Sequence, residues 1–125
     1  MSSDNSVVLI VEDEPLIRFS TLDALEDVGH VALEAGNADE ALVVLRNRPD
    51  VEILFTDINM AGTMDGLQLA KRVRALRPDI GIIITSGVVR LDPMALPTNA
   101  VFLSKPYRHE ALLTSIHQLK SHSQQ

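Results

Sequence analysis

The chain has 125 residues, 46% of them hydrophobic, which is enough to bury one core and short for two domains. Its formal charge of −6 would repel phosphate backbones, and its 11 lysines and arginines form no run that could follow a nucleic acid, which argues against direct DNA binding. With no cysteine there is neither a disulfide framework nor a thiolate metal site, and with neither a signal-like start nor an apolar stretch near the ~20 residues of a membrane span the expected location is cytoplasmic.

From the N-terminus, the polar MSSDNS leads into VVLIV (7–11), a short apolar run of strand character, closed by Glu12, Asp13 and Glu14 and then Pro15. Pro15 suits a first helical position. Leu16, Phe19, Leu22 and Leu25 recur at three-residue spacing until Gly29 stops the helix. A second run, HVALEA (30–35), precedes Asn37, which with Glu40 three residues on resembles a capping box. Ala41, Leu42 and Leu45 then form the apolar stripe of a second helix that ends before Pro49.

EILFT (52–56) is the third strand-like run, followed by Asp57 and the turn AGTMDG, framed by Gly62 and Gly66. Leu69, Ala70, Val73 and Leu76 share one face of a third helix, with Lys71, Arg72 and Arg74 on a basic face expected to be solvated. IGIIIT (80–85) and AVFLS (100–104) are the fourth and fifth runs. Between them Pro97 follows Pro93 by four residues, which leaves room for about one helical turn after Asp92. A last helix after Pro106 carries Leu112, Ile116 and Leu119 inward, and the tail SHSQQ is expected to fray like the start.

Strands alternating with helices in this way predict an α/β fold with a doubly wound parallel sheet and right-handed crossovers, in one domain with a core of about residues 7–119. Near-continuous apolar strands need cover on both faces, which agrees.

In an open parallel sheet the ligand site lies beyond the carboxyl ends of the strands. The residues there are Glu12 and Asp13, then Asp57, then Thr85 and Ser86, then Lys105. Singly, each has an ordinary reading as a loop acid, a strand-end hydroxyl or a surface charge. Together, three acids drawn from two strands would repel one another without a cation, and hard oxygen donors suit Mg²⁺ or Mn²⁺. A carboxylate beside such an ion is a competent nucleophile toward a phosphoryl group. The Lys105 ammonium and the Thr85 hydroxyl are then of the right kind to meet phosphoryl oxygens. The four histidines show no ligand spacing and are expected at the surface, Met60 and Met64 to pack in a loop, and Phe102 to be core. Neither GxGxxG nor GxxxxGK[ST] occurs.

The ordered set "LIVEDEP", "FTDINM…MDG", "IIITSG" and "FLSKP" resembles the receiver domain of bacterial two-component response regulators, of the stand-alone kind known from chemotaxis, over about Val7 to Leu119. The resemblance implies a flavodoxin-like (βα)₅ fold with strand order 2-1-3-4-5. It implies that Asp57 accepts a phosphoryl group from a sensor histidine kinase or a histidine phosphotransfer protein. It implies Mg²⁺ held by Asp13, Asp57 and the backbone carbonyl of Asn59, with Glu12 acting through water. Thr85 and Lys105 match the switch hydroxyl and the phosphate-pairing lysine, Phe102 the aromatic that changes rotamer, and Lys105-Pro106 a peptide bond usually cis. Such a protein catalyses only its own phosphorylation and dephosphorylation, then acts by binding a downstream protein, by passing the group on, or as a phosphate sink.

Four features depart from the pattern: Ala61 in place of the usual proline, a turn one residue longer, Gly87 with no side chain to steer water, and the shortened fourth helix. Two rival readings are a receiver-like interaction module that is never phosphorylated and a Mg²⁺-dependent phosphatase. The first is disfavoured by the complete residue set, the second by the lack of another Asp two residues beyond Asp57.

Overall fold

The apolar runs VVLIV, ILFT and GIII have no polar side to expose and have to be covered on both faces, which crossovers over the sheet provide, while the outer runs VALEA and AVFLS are only partly buried. The computed structural model describes residues 5–60, 62–87 and 92–123. The elements are β1 (Val7–Val11), α1 (Pro15–Asp27), β2 (Val31–Ala35), α2 (Ala38–Asn47), β3 (Ile53–Asp57), α3 (Gly66–Leu76), β4 (Gly81–Ser86), β5 (Ala100–Ser104) and α4 (His109–Ser123). All strands are parallel, in the order β2-β1-β3-β4-β5 expected from the sequence. Between β4 and β5 the described residues form a short 3-10 turn, Pro93–Ala95, and no α-helix; there the Asp92 carboxylate accepts the Met94 N–H at 3.0 Å. Of the ends expected to fray, residues 1–4, 124 and 125, like the departure at Ala61, fall outside the described residues, but Ser6 is buried and α4 continues through Ser123.

Each sheet face carries its own core. Leu9, Leu54, Ile82 and Ile84 pack with Leu69, Ala70 and Val73 of α3 and Ala41 and Leu45 of α2. Ile10, Phe55 and Ile83 pack with Leu25 of α1 and Leu112, Ile116 and Leu119 of α4. Full burial of such a side chain stabilises by roughly 1.5–3 kcal/mol.

The helix ends are set locally. Gly29, with φ 96°, follows α1 in a Schellman closure: its N–H bonds to Glu26 O and that of His30 to Leu25 O. The Asn37 side chain accepts Glu40 N–H at 2.9 Å, but the Glu40 carboxylate turns back to Gly36 N–H, so the expected box is only half closed. The reciprocal box is at α3, between Asp65 and Gln68.

Three expectations need correction. Leu16 and Phe19 do not face the core: they are 82% and 54% exposed, while Leu25 and Thr21 are buried. A three-residue step turns about 300° around a helix of 3.6 residues per turn, so the apolar series winds round and Leu16 ends opposite Leu25. Leu76, the last residue of α3, is exposed. Arg74 is not solvated like Lys71 and Arg72: half-buried, it donates to the carbonyls of Thr98 (2.8 Å), Asn99 (3.2 Å), Arg77 (3.3 Å) and Pro78 (3.0 Å), tying α3 to the approach to β5.

Candidate phosphoryl-transfer site

The sheet register gathers the predicted residues at one edge. Asp57, last in β3, is the register partner of Thr85 in β4, while Glu12 and Asp13 follow β1 and Lys105 follows β5. Glu12 is held by its backbone, whose N–H bonds to Ala35 O at 3.1 Å and whose carbonyl accepts Arg18 Nη1 at 2.7 Å; Arg18 also pairs with Glu34 at 2.8 Å. The Lys105 N–H bonds to Ser86 O at 3.0 Å, and the Lys105–Pro106 peptide is cis, as expected.

The Lys105 ammonium lies 2.8 Å from Asp57 Oδ2 and 3.3 Å from Glu12 Oε1. The other Asp57 oxygen accepts Asn59 N–H at 3.2 Å, and the Asn59 side-chain amide donates to Ser86 Oγ at 3.2 Å. Asp57 and Glu12 are buried, Asp13 exposed. Carboxylate oxygens of Glu12, Asp13 and Asp57 all lie within 4.8 Å of one another. A trio of hard anionic donors with one exposed member fits a divalent ion such as Mg²⁺, which keeps several waters.

Burial pushes the Glu12 carboxyl above its ordinary 4.5, against the Glu14 N–H that it accepts at 3.1 Å; Asp57 repulsion adds to the rise and Lys105 opposes it. For Lys105 burial acts downward, but the hydrogen bond and charge of Asp57, then those of Glu12, outweigh it and the ammonium is held above 10.5. The two shifts are compatible because Lys105 sits nearer Asp57 than Glu12, which leaves Glu12 the smaller share of its compensation.

Thr85 Oγ1 is buried with no hydrogen-bond partner among the described residues. A buried hydroxyl left so forfeits about 1–3 kcal/mol, which marks a place where another acceptor is wanted. Phe102 stands apart from the carboxylates: half-buried, it packs on the α2–α3 side of the sheet, whereas Leu103, register partner of Thr85, belongs to the α1–α4 side. Met60 and Met64 pack against the core as expected. His30 corrects the surface reading of the histidines, since it is half-buried and its Nδ1 accepts Ser6 N–H at 2.9 Å.

Two contributors escaped the sequence reading. Tyr107, two residues beyond Lys105, is hydrogen-bonded through its hydroxyl to Thr21 Oγ1 of α1 at 3.1 Å and stacks edge-on against Phe55 at 5.5 Å. Gly66, read as a turn residue, begins α3 against the backbone of Asp57. Being the one tyrosine of the chain, next to the lysine motif, Tyr107 gave a faint signal; Gly66 gave none beyond its identity.

With this geometry the comparisons agree. The chain belongs to the response regulator receiver domain family, whose model matches residues 8–117. It is 33% identical over 115 residues to the response regulator receiver protein CpdR of Brucella abortus (strain 2308), covering 90% of this chain and 94% of that one. It is 34% identical over 122 residues to the sensor kinase CckA of the same organism, where the match covers 94% of this chain but only 13% of the kinase. In three dimensions it is similar to a response regulator receiver protein from Sinorhizobium medicae WSM419, with a TM-score of 0.87 and 24% identity over 98% of this chain and 99% of that one. Among the described residues no helix is long and apolar enough to cross a membrane.

Proposed function

We propose that Asp57 is the phospho-acceptor of this receiver and takes its phosphoryl group from a phosphohistidine on a sensor histidine kinase or a histidine phosphotransfer protein. A carboxylate oxygen of Asp57 forms the bond to phosphorus as the P–N bond to the donor imidazole breaks, its electron pair staying on the ring nitrogen. Glu12, Asp13 and Asp57, with the Asn59 carbonyl, would hold the Mg²⁺ (or Mn²⁺), which when bound supplies positive charge against the transferred group.

Lys105 then exchanges its bond to Asp57 Oδ2 for one to a phosphoryl oxygen. The Thr85 hydroxyl, beside Asp57 in the sheet, donates to another and gains the partner it lacks. That inward move of Thr85 is what Phe102 follows to alter the β5 surface for a downstream protein. The chain on this reading catalyses only its own phosphorylation and dephosphorylation.

The observation that carries the proposal is the Lys105–Asp57 contact of 2.8 Å beside a buried, unsatisfied Thr85 hydroxyl. Incubation with acetyl phosphate and Mg²⁺ is expected to add the mass of one phosphoryl group, to fail without the metal, and to fail in Asp57→Asn. Undiminished labelling of Asp57→Asn would move the acceptor elsewhere, and labelling unaffected by chelator would remove the ion from the reaction.

A further inference from the structure

Six of the chain's 11 lysines and arginines lie between residues 46 and 77, in a protein whose net charge is −6. Between α2 and α3 runs a groove of about 370 Å³, walled by Leu42, Leu45, Val73 and Leu76 and rimmed by Arg46, Arg72 and Arg77. Its apolar wall is open, with Leu76 64% exposed. Arg77 is engaged structurally, donating to the carbonyls of Pro49 and Val51 at 3.0 Å each with Asp79 at 3.7 Å. Arg46 and Arg72 are exposed, and neither has a carboxylate partner among the described residues. Helix α3 contributes no acidic residue of its own to neutralise them.

We infer that the α2–α3 groove is a docking site for an acidic amphipathic helix of a partner protein, which sets apolar side chains between Leu42 and Leu76 and its carboxylates against Arg46 and Arg72. An apolar cleft between two helices takes anchors spaced at i and i+4 from a third helix, and unpaired cations on its rim select the charge of that helix. The alternatives fit less well. A lipid surface is flat, while the apolar side chains here line a concavity. A nucleic acid strand would want aromatic stacking, and no aromatic lines the groove. A second copy could offer the exposed Leu16 and Phe19 of α1, but the first turn of that helix carries no acidic residue to meet Arg46 and Arg72, and the contact would be heterologous, setting a different patch on each copy. The site lies on the helices away from the carboxylates, so it does not depend on Asp57 being phosphorylated.

The test is a titration of the full isotope-labelled chain with a synthetic helical peptide carrying leucines at i and i+4 flanked by glutamates. The expected result is saturable shifts confined to Leu42, Leu45, Val73, Leu76 and their neighbours, weakened at least tenfold in the double variant Arg46→Glu/Arg72→Glu and absent for the same peptide with lysines in place of its glutamates. Both arginines are exposed, and an unchanged thermal midpoint confirms that the double variant is folded. Shifts mapping to α1, equal affinity in the double variant, or no saturable shift at millimolar peptide would each overturn the proposal. So would concentration-dependent self-association through these residues, or capture by anionic vesicles in place of the peptide.

Discussion

Gly66 begins α3 so close to the backbone of Asp57 that a Cβ on it would lie 1.8 Å from the Asp57 carbonyl oxygen and 2.8 Å from Ile58 Cα. Backbone, unlike a flexible side chain, cannot step aside without dragging Asp57 with it. Gly66→Ala is therefore expected to destabilise the fold by about 3 kcal/mol or more, far beyond the usual gain from alanine in a helix. Urea denaturation checks this, and a loss below about 1 kcal/mol would mean that α3 is free to slide.

Thr85 makes the opposite case. Its hydroxyl is buried and unpartnered, so Thr85→Val removes an unsatisfied group at nearly constant shape and should leave the unphosphorylated protein as stable, or up to about 1 kcal/mol more stable. The same variant should still take up phosphate on Asp57 while losing the shift changes at Phe102 that phosphorylation brings. A clear destabilisation would show that the hydroxyl has a partner in the resting state.

The Glu12 carboxyl, held above 4.5 chiefly by burial, binds its proton more tightly in the folded chain than in the unfolded one. Its contribution to stability is thus fully present below 4.5 and is lost as pH rises through the raised folded value. In chelator, the advantage of wild type over Glu12→Gln is expected to shrink as pH rises through that window, and added Mg²⁺ should restore it. A difference independent of pH would disprove the burial argument.

Tyr107 offers a cleaner titration because it is the only tyrosine and there is no tryptophan. Burial, the largest influence, holds its phenol above 10.0, with the Thr21 hydrogen bond acting the other way. Stability from the neutral phenol is complete below about 10 and disappears as pH rises through the folded value. Phenolate absorbance should therefore appear late and coincide with loosening of α1 from the Lys105 segment. Thr21→Val should cost about 1 kcal/mol near neutrality; an ordinary phenol titration would place Tyr107 in solvent.

Much of this was legible in the chain. Strands such as Val7–Val11 and Ala100–Ser104 were readable because an apolar run with a charged residue at its end is a property of near neighbours. For the same reason Glu12, Asp13, Asp57, Thr85 and Lys105 could be picked out: each stands just where a run stops, and the parallel topology sends all those ends to one edge. The single turn at Pro93–Ala95 was equally local, written in the spacing of Pro93 and Pro97.

Tertiary structure alone decided the rest, because packing depends on what another part of the chain presents. Whether Leu16 or Leu25 faces the core follows from where the sheet lies against α1, and the carbonyls that capture Arg74 belong to Thr98 and Asn99, 24 and 25 residues away. Gly66 against Asp57 and Tyr107 against Thr21 are likewise meetings of distant segments. Local patterns name the elements and the chemistry at their ends; only the close approach of backbones sets which side chain must be small, which must be paired, and which buried hydroxyl is left unsatisfied among the described residues.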